Sequence, residues 1–175
     1  MIFGSLEHFA VESIIEPGPE FRPVFGSNVV GRMRLFLNGM AVGNFAEPNC
    51  VLRPVSQHLV ALCAASTTLW HSSLANLTPA QQFEILDAAI FVGTEENPPW
   101  NFSLCSFLTN VSEAFDPLKA FLLCRDPGEM QVLLQRRPDG TVEHFAIARS
   151  AFCSVASEFA TWVSAQEKDL IPRGP

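Results

Sequence analysis

Residues 119–163 read KAFLLCRDPGEMQVLLQRRPDGTVEHFAIARSAFCSVASEFATWV, and this stretch decides the fold. Ala120 to Cys124 is an apolar run, whereas Met130 to Arg136 and Thr141 to Arg149 alternate between apolar and polar residues. Alternation with a period of two is typical of a half-buried strand, and the helical spacing that begins at Ser150 is typical of an amphipathic helix. The stretch therefore predicts three consecutive antiparallel strands, followed by a helix that can cover one face of their sheet.

Turn residues separate these strands from one another. Asp126-Pro127-Gly128 and Pro138-Asp139-Gly140 predict the two hairpin turns of the C-terminal segment. Near the N-terminus, Asn38-Gly39 predicts a type I′ turn because both residues tolerate positive φ. It joins a strand from Val29 to Leu37 with a return strand from Met40 to Phe45. The hairpin is therefore the predicted unit of both ends of the chain.

The middle of the chain is predicted to be helical. After Pro54, apolar residues recur at three- and four-residue spacing as far as Trp70, which indicates one amphipathic helix. Thr78 begins a capping-box pattern, which predicts a second helix from about Pro79 to Phe91. Two more strands are predicted, over residues 8–15 and 102–111.

These elements together predict an α+β domain over residues 1–165. We expect a mainly antiparallel sheet of five to seven strands, with two central helices and a C-terminal helix packed on it. Residues 166–175 are polar and end in proline, which predicts a flexible C-terminal tail.

Charge and hydropathy exclude several classes of partner. The chain has 175 residues and a formal net charge of −7, from 18 acidic and 11 basic residues. This balance opposes binding to nucleic acid or to an anionic membrane, and it favours a basic protein partner. No apolar stretch has the ~18 residues of a membrane span, and the N-terminus lacks a signal-peptide pattern. The sequence predicts a cytoplasmic protein that binds no nucleic acid and no membrane.

The cysteines indicate neither a disulfide framework nor a metal site. They are odd in number, widely spaced and set among apolar residues, where a thiol packs as a small hydrophobic group. They are Cys50, Cys63, Cys105, Cys124 and Cys153. We therefore predict buried thiols, no metal and no cofactor.

The histidines give no catalytic signature. No His-Glu-x-x-His motif is present, and His58 and His71 would lie about 140° apart on one predicted helix, so they could not share a ligand. We predict no catalytic residue. A small hydrolase that uses His71 or His144 with a carboxylate stays open as an alternative.

Both ends of the chain contain recognisable stretches. They are Met1–Gly4, Phe9–Glu12, Arg34–Gly39, Phe145–Ala148, and Phe152, Val155 and Phe159 of the last helix. With the order of elements, they resemble a bacterial immunity-protein family of polymorphic toxin systems, the one numbered forty-two. The resemblance implies a non-catalytic protein that binds and neutralises a cognate toxin domain, commonly the C-terminal domain of a contact-dependent growth-inhibition effector. Many such toxins are basic nucleases, which an acidic inhibitor would meet rapidly.

A predicted toxin-binding surface follows from charge and loop position. It consists of Asp87 on the second helix and Glu95, Glu96 and Trp100 in the proline-containing loop after it. The competing interpretation is that Trp100 fills the edge of the core while both glutamates face solvent. A secretion chaperone or adaptor is the other open function, because it too would be small, acidic and non-enzymatic.

Overall fold

The computed structural model describes residues 1–16, 29–92, 102–137 and 140–170, with the backbone alone at 169 and 170. Within these ranges the strands are β1 Ile2–Gly4, β2 Phe9–Ile15, β3 Val30–Leu37, β4 Met40–Val42, β5 Cys50–Val51, β6 Leu118–Asp126, β7 Glu129–Arg136 and β8 Val142–Ala148. The α-helices are α1 Leu52–Ala64, α2 Pro79–Asp87 and α3 Arg149–Leu170. The α+β class is confirmed.

The strands form two antiparallel sheets, where the sequence predicted one sheet of five to seven strands. The five-stranded sheet has the order β1-β2-β3-β4, and β5 pairs with the other end of β3. The three-stranded sheet has the order β6-β7-β8. The sheet is divided because, within the described residues, the three C-terminal strands pair with one another in consecutive hairpins and with no other strand.

Local turn and cap chemistry places the hairpins as predicted. Asn38 and Gly39 have φ values of +48° and +84°, which gives the type I′ turn between β3 and β4. The backbone N–H of Gly128 donates to Oδ1 of Asp126 at 2.9 Å, which closes the turn between β6 and β7. Pro138 and Asp139 lie outside the described residues.

The C-terminal helix packs on the five-stranded sheet more than on the strands that precede it. Phe3 of β1 lies 5.6 Å from Phe159 between ring centroids, and Phe9 of β2 lies 4.9 Å from Phe152. Helix α3 also packs along α1 and makes fewer contacts with β8. The expected cover of one sheet face is thus present, but the sheet is the N-terminal one.

Two local predictions are wrong. Residues 102–111 do not form a strand, because Phe102–Cys105 is a 3-10 helix and Ser106 makes only an isolated bridge to Phe121. Helix α1 ends at Ala64, where 3-10 turns take over before Trp70. At the other end of the chain, α3 continues through Leu170, and the flexible tail over residues 166–175 stays a prediction.

The prediction that all cysteines are thiols is also wrong. Cys63 of α1 and Cys153 of α3 form a disulfide, with their Cα atoms 5.5 Å apart and 90 positions apart in sequence. Each residue lies on a helix face that meets the other helix, so the packing of α1 on α3 brings them together. Cys50, Cys105 and Cys124 are buried free thiols, as predicted.

One connected apolar cluster joins both sheets and all three α-helices. Helix α2 covers the three-stranded sheet, where the Phe83 and Phe121 rings meet edge to face at 4.9 Å between centroids. Among the described residues, no helix is both long enough and apolar enough to cross a membrane.

Candidate functional site

Helix α2 is fixed at its start by the predicted capping box. The backbone N–H of Gln81 donates to Oγ1 of Thr78 at 3.3 Å, and Oε1 of Gln81 accepts from the N–H of Thr78 at 2.9 Å. These two bonds satisfy N–H groups that the first helical turn would otherwise leave open. The helix therefore begins at a defined residue and presents a defined outer face.

A buried amide ties α2 to the core. Gln82 is 5% exposed, and its Nε2 donates to the carbonyl of Leu74 at 2.9 Å. Its Oε1 accepts from Nε2 of Gln131 on β7 at 3.0 Å. The amide nitrogen and the amide oxygen of this buried side chain are both hydrogen bonded. Helix α2 is therefore held in a fixed position against the three-stranded sheet. Such a helix is a rigid platform for whatever lies on its outer face.

Asp87, the last residue of α2, forms an ion pair with Lys119 of β6. The two side chains are 26% and 22% exposed. The Lys119 ammonium also lies 5.2 Å from the centroid of the Phe91 ring, a cation–π contact. The structure therefore places the predicted residue Asp87 at the surface with its carboxylate shared, so a partner would meet an Asp87–Lys119 pair.

The chain after Asp87 continues as a π-helical turn, Ala88–Val92, and it exposes apolar side chains. Ile85 is 40% exposed, Phe91 38% and Val92 75%. π-Helical turns are rare and occur often at functional sites. We call Glu84, Ile85, Asp87, Phe91 and Val92 the α2 patch.

The other three predicted binding residues lie outside the described residues. Glu95, Glu96 and Trp100 belong to the segment 93–101, which follows the α2 patch directly in the chain. Their participation stays a prediction. Of the four predicted residues, the structure locates Asp87 alone.

The exposure of the apolar residues in the α2 patch is not predicted by the sequence pattern. The apolar spacing of the predicted helix Pro79 to Phe91 indicates one buried stripe of Phe83, Leu86, Ile90 and Phe91, but only Phe83 and Leu86 are fully buried. The π-helical turn places more residues in each turn than an α-helix does, so it rotates Phe91 out of the α-helical stripe. The available signal was the unbroken run Ala88–Val92, which is more apolar than one buried stripe requires.

Two of the histidines and two of the cysteines are held by contacts within the fold. Nε2 of His58 lies 2.8 Å from the carbonyl oxygen of Phe107, and His71 lies after α1, where its Nδ1 is 2.9 Å from Oγ of Ser73. Burial raises the pKa of the Cys105 thiol to about 12 and that of Cys50 to about 11, so both stay protonated at neutral pH. In the described ranges, no group of three His, Cys, Asp or Glu residues could hold a metal ion.

A comparison with solved structures shows which known protein shares this fold. The chain is similar to the crystal structure of CdiI from Burkholderia dolosa AUO158, with a TM-score of 0.67 over 93% of this chain and 99% of that chain. At 16% sequence identity, this likeness shows the fold alone. A search of curated protein sequences finds no match.

A family model then gives the identity. The model of immunity protein 42, Imm42, matches residues 1–162, and the chain belongs to that family. The family resemblance read from both ends of the sequence is confirmed, and it extends through the middle of the chain, which the sequence stretches did not cover.

Proposed function

We propose that this protein neutralises a cognate toxin domain by binding it directly in the cytoplasm, as the immunity partner in a contact-dependent inhibition system. Membership of the Imm42 family and the fold shared with CdiI support this function. Neutralisation by binding requires a complementary surface and no bond-making chemistry. The protein acts as a stoichiometric inhibitor and not as an enzyme.

The α2 patch and the following segment with Glu95, Glu96 and Trp100 form the proposed contact surface. The observation that carries this assignment is the exposure of Phe91 and Val92 beside Asp87, on a helix fixed to the core. Interfaces place apolar and aromatic anchors at their centre and polar groups at the rim. The patch has this composition.

Charge indicates the chemistry of the toxin. A chain with a net charge of −7 attracts a basic protein over several ångströms and repels nucleic acid. A basic nuclease domain would present the phosphate-binding residues that an acidic inhibitor can cover. The proposed toxin is therefore a basic domain, with nucleases as the leading class.

The experiment that tests this function measures toxin binding by matched surface variants. Val92→Asp places a charge at the centre of the α2 patch, and we expect toxin affinity to fall about tenfold or more. Val60→Asp is the matched control, because Val60 is 40% exposed on α1, away from the patch. Calorimetric titration of the toxin domain, encoded beside this chain, against each folded variant gives the two affinities.

Charge-reversal substitutions distinguish long-range electrostatic attraction of the toxin from direct contact with it, in the same titration series. Glu95→Lys with Glu96→Lys should slow association and weaken its salt dependence. Glu7→Lys with Glu129→Lys changes the net charge equally at exposed positions elsewhere. If the two double substitutions change toxin association equally, residues 93–101 are not part of the interface.

Protection of cells decides between immunity and a chaperone role. Cells that produce the toxin should survive when the wild-type chain is co-expressed and should die when the chain carries Val92→Asp. A secretion chaperone or adaptor would bind the toxin without abolishing its toxicity. Binding without protection would therefore contradict the proposed function.

A further inference from the structure

A small cleft opens where the 3-10 turn after α1 meets the turn between β6 and β7 and the start of α3. Its volume is about 190 Å³. The residues of interest around it are Ser66, Thr67, Trp70, Cys124, Arg125 and Arg149. The cleft is separate from the α2 patch, since none of its lining residues belongs to α2.

Two buried hydrogen-bond donors in this cleft have no partner. Ser66 is completely buried, and its Oγ makes no hydrogen bond within the described part of the chain. Nε of Arg149 is also buried and also has no partner there. Buried polar groups are almost always hydrogen bonded, because an unpaired one loses its hydration without compensation. Two donors in one cleft that are unpaired within the described residues indicate an acceptor that these residues do not supply.

The electrostatics of the cleft favour an anionic acceptor. The guanidinium of Arg125 lies 5.5 Å from the centroid of the Trp70 ring, which holds it at the cleft. Across the described ranges, neither Arg125 nor Arg149 forms an ion pair. The carboxylate of Asp126 also lies nearby, where its Oδ1 accepts the backbone N–H of Gly128 and its charge offsets part of this positive potential. Two arginines that form no ion pair within the described residues therefore line one cleft of a chain that is acidic overall.

Helix α3 adds to this positive potential. It begins at Arg149, and its first turn contains no acidic residue, so the positive end of a 22-residue helix is not neutralised by its own side chains. The charge of Arg149 also reaches the Cys124 thiol: burial raises the pKa of Cys124, and Arg149 opposes that rise. The Arg149 guanidinium therefore lies near the Cys124 thiol, which lines the same cleft.

We propose that this cleft binds a small oxyanion, a phosphate or a carboxylate, through the guanidinium groups of Arg149 and Arg125 and a hydrogen bond from Oγ of Ser66. Guanidinium groups pair with such oxyanions through two parallel hydrogen bonds. The hydroxyl of Ser66 supplies a third donor from the 3-10 turn after α1. An oxyanion therefore satisfies both orphan donors and neutralises the two cations.

The test uses the purified chain alone, with inorganic phosphate and acetate as probes and sodium chloride as the ionic-strength control. Isothermal titration and thermal unfolding are measured on the wild type, Ser66→Ala, Arg149→Gln and the control Arg137→Gln. Arg137 is an exposed arginine outside the cleft, so its substitution removes the same charge. We expect at least one oxyanion to bind the wild type and Arg137→Gln equally, and to bind Ser66→Ala and Arg149→Gln about tenfold more weakly.

Ser66→Ala keeps the test informative, because the hydroxyl has no partner among the residues that the structure describes. Its removal should leave the ligand-free unfolding temperature unchanged or raised, while the affinity for the anion falls. A substitution that caused misfolding would lower both the unfolding temperature and the affinity for the anion. Equal binding of phosphate and acetate to wild type and Arg149→Gln, or no binding of either, would overturn the proposal.

A second arm identifies the source of the oxyanion and requires the toxin. If the ligand is a carboxylate of the toxin, Arg149→Gln weakens the complex and phosphate competes with it. If the ligand is free phosphate, Arg149→Gln leaves toxin affinity unchanged. The anion titration does not involve the toxin, so it can succeed where the proposed immunity function fails, and the two failures are distinguishable.

Discussion

The two sheets differ in how many of their faces are buried. In β3 of the five-stranded sheet, burial alternates along the strand. Met33 and Leu35 are completely buried, whereas Arg34 and Phe36, which point to the other face, are half-buried. In β6 of the three-stranded sheet, every residue from Ala120 to Cys124 is buried. The first sheet therefore has one face on the core and one towards solvent, and the first strand of the second sheet is enclosed on both faces.

This difference predicts an unequal distribution of stability. The outer face of the five-stranded sheet contains the ion pair of Arg34 with Glu12, which are 2.6 Å apart. Half-exposed pairs of this kind contribute little, because water already solvates both charges. The three-stranded sheet contributes packed apolar surface, and the burial of such surface stabilises a fold more than exposed ion pairs do. Substitutions in the three-stranded sheet should therefore lower the free energy of unfolding more than substitutions on the outer face of the five-stranded sheet.

The largest effect is expected for Phe121→Ala. Phe121 is completely buried in β6, with its ring against Phe83 of α2, so its truncation leaves a cavity in the second sheet. The free energy of unfolding should fall by about 3–5 kcal/mol. Phe36→Ala, on the outer face of β3, is the matched control and should lose about 1 kcal/mol, mainly through its contact with Arg34.

Urea denaturation monitored by circular dichroism measures both values. Equal losses for the two phenylalanines would show that both sheets are enclosed to the same degree, and the contrast between them would then be wrong.

An intermediate effect is expected when the disulfide between Cys63 and Cys153 is removed. The bond closes a loop of 90 residues and links α1 to α3, the two helices over the five-stranded sheet. Cys63→Ser with Cys153→Ser should lower the free energy of unfolding by about 2–4 kcal/mol under oxidising conditions. The reduced wild-type chain should match the variant.

Hydrogen exchange locates this effect. Amide exchange should increase first in β1 and β2, which α3 covers, and less in β6 and β7. An equal increase in both sheets would mean that the disulfide stabilises the chain as a whole and not the cover of one sheet.

The smallest effect is expected for Glu12→Gln. The substitution removes the ion pair with Arg34 on the outer face of the five-stranded sheet, where the two side chains are 20% and 33% exposed. The free energy of unfolding should fall by about 0.2–1 kcal/mol, and less in high salt. A loss as large as that of Phe121→Ala would mean that this face is enclosed after all.

Elements set by neighbouring residues were predictable from the sequence. The three C-terminal strands, the Asn38-Gly39 turn and the capping box at Thr78 depend on groups within a few positions of each other. Residues 102–111 were assigned wrongly, because their apolar residues are buried by a 3-10 helix and not by strand pairing. Burial alone does not distinguish the two structures.

The candidate site was predictable only in its charged part. Asp87 could be placed on a helix from its spacing, but its pairing with Lys119 joins residues 32 positions apart. Exposure of Phe91 depends on a π-helical turn, and no pattern of apolar residues specifies one. The cleft near Arg149 joins segments that begin at Ser66 and Cys124, so its unpaired donors are invisible in any local stretch.

The sequence by itself determined the local elements, the α+β class and the family resemblance, because steric preference, capping and hydrophobic period act over short distances along the chain. The tertiary structure alone decided that the strands form two sheets, that α3 covers the N-terminal one, and that Cys63 meets Cys153. Each of these outcomes depends on which apolar surfaces bury one another, and partners tens of residues apart are selected by shape and area that no single segment contains.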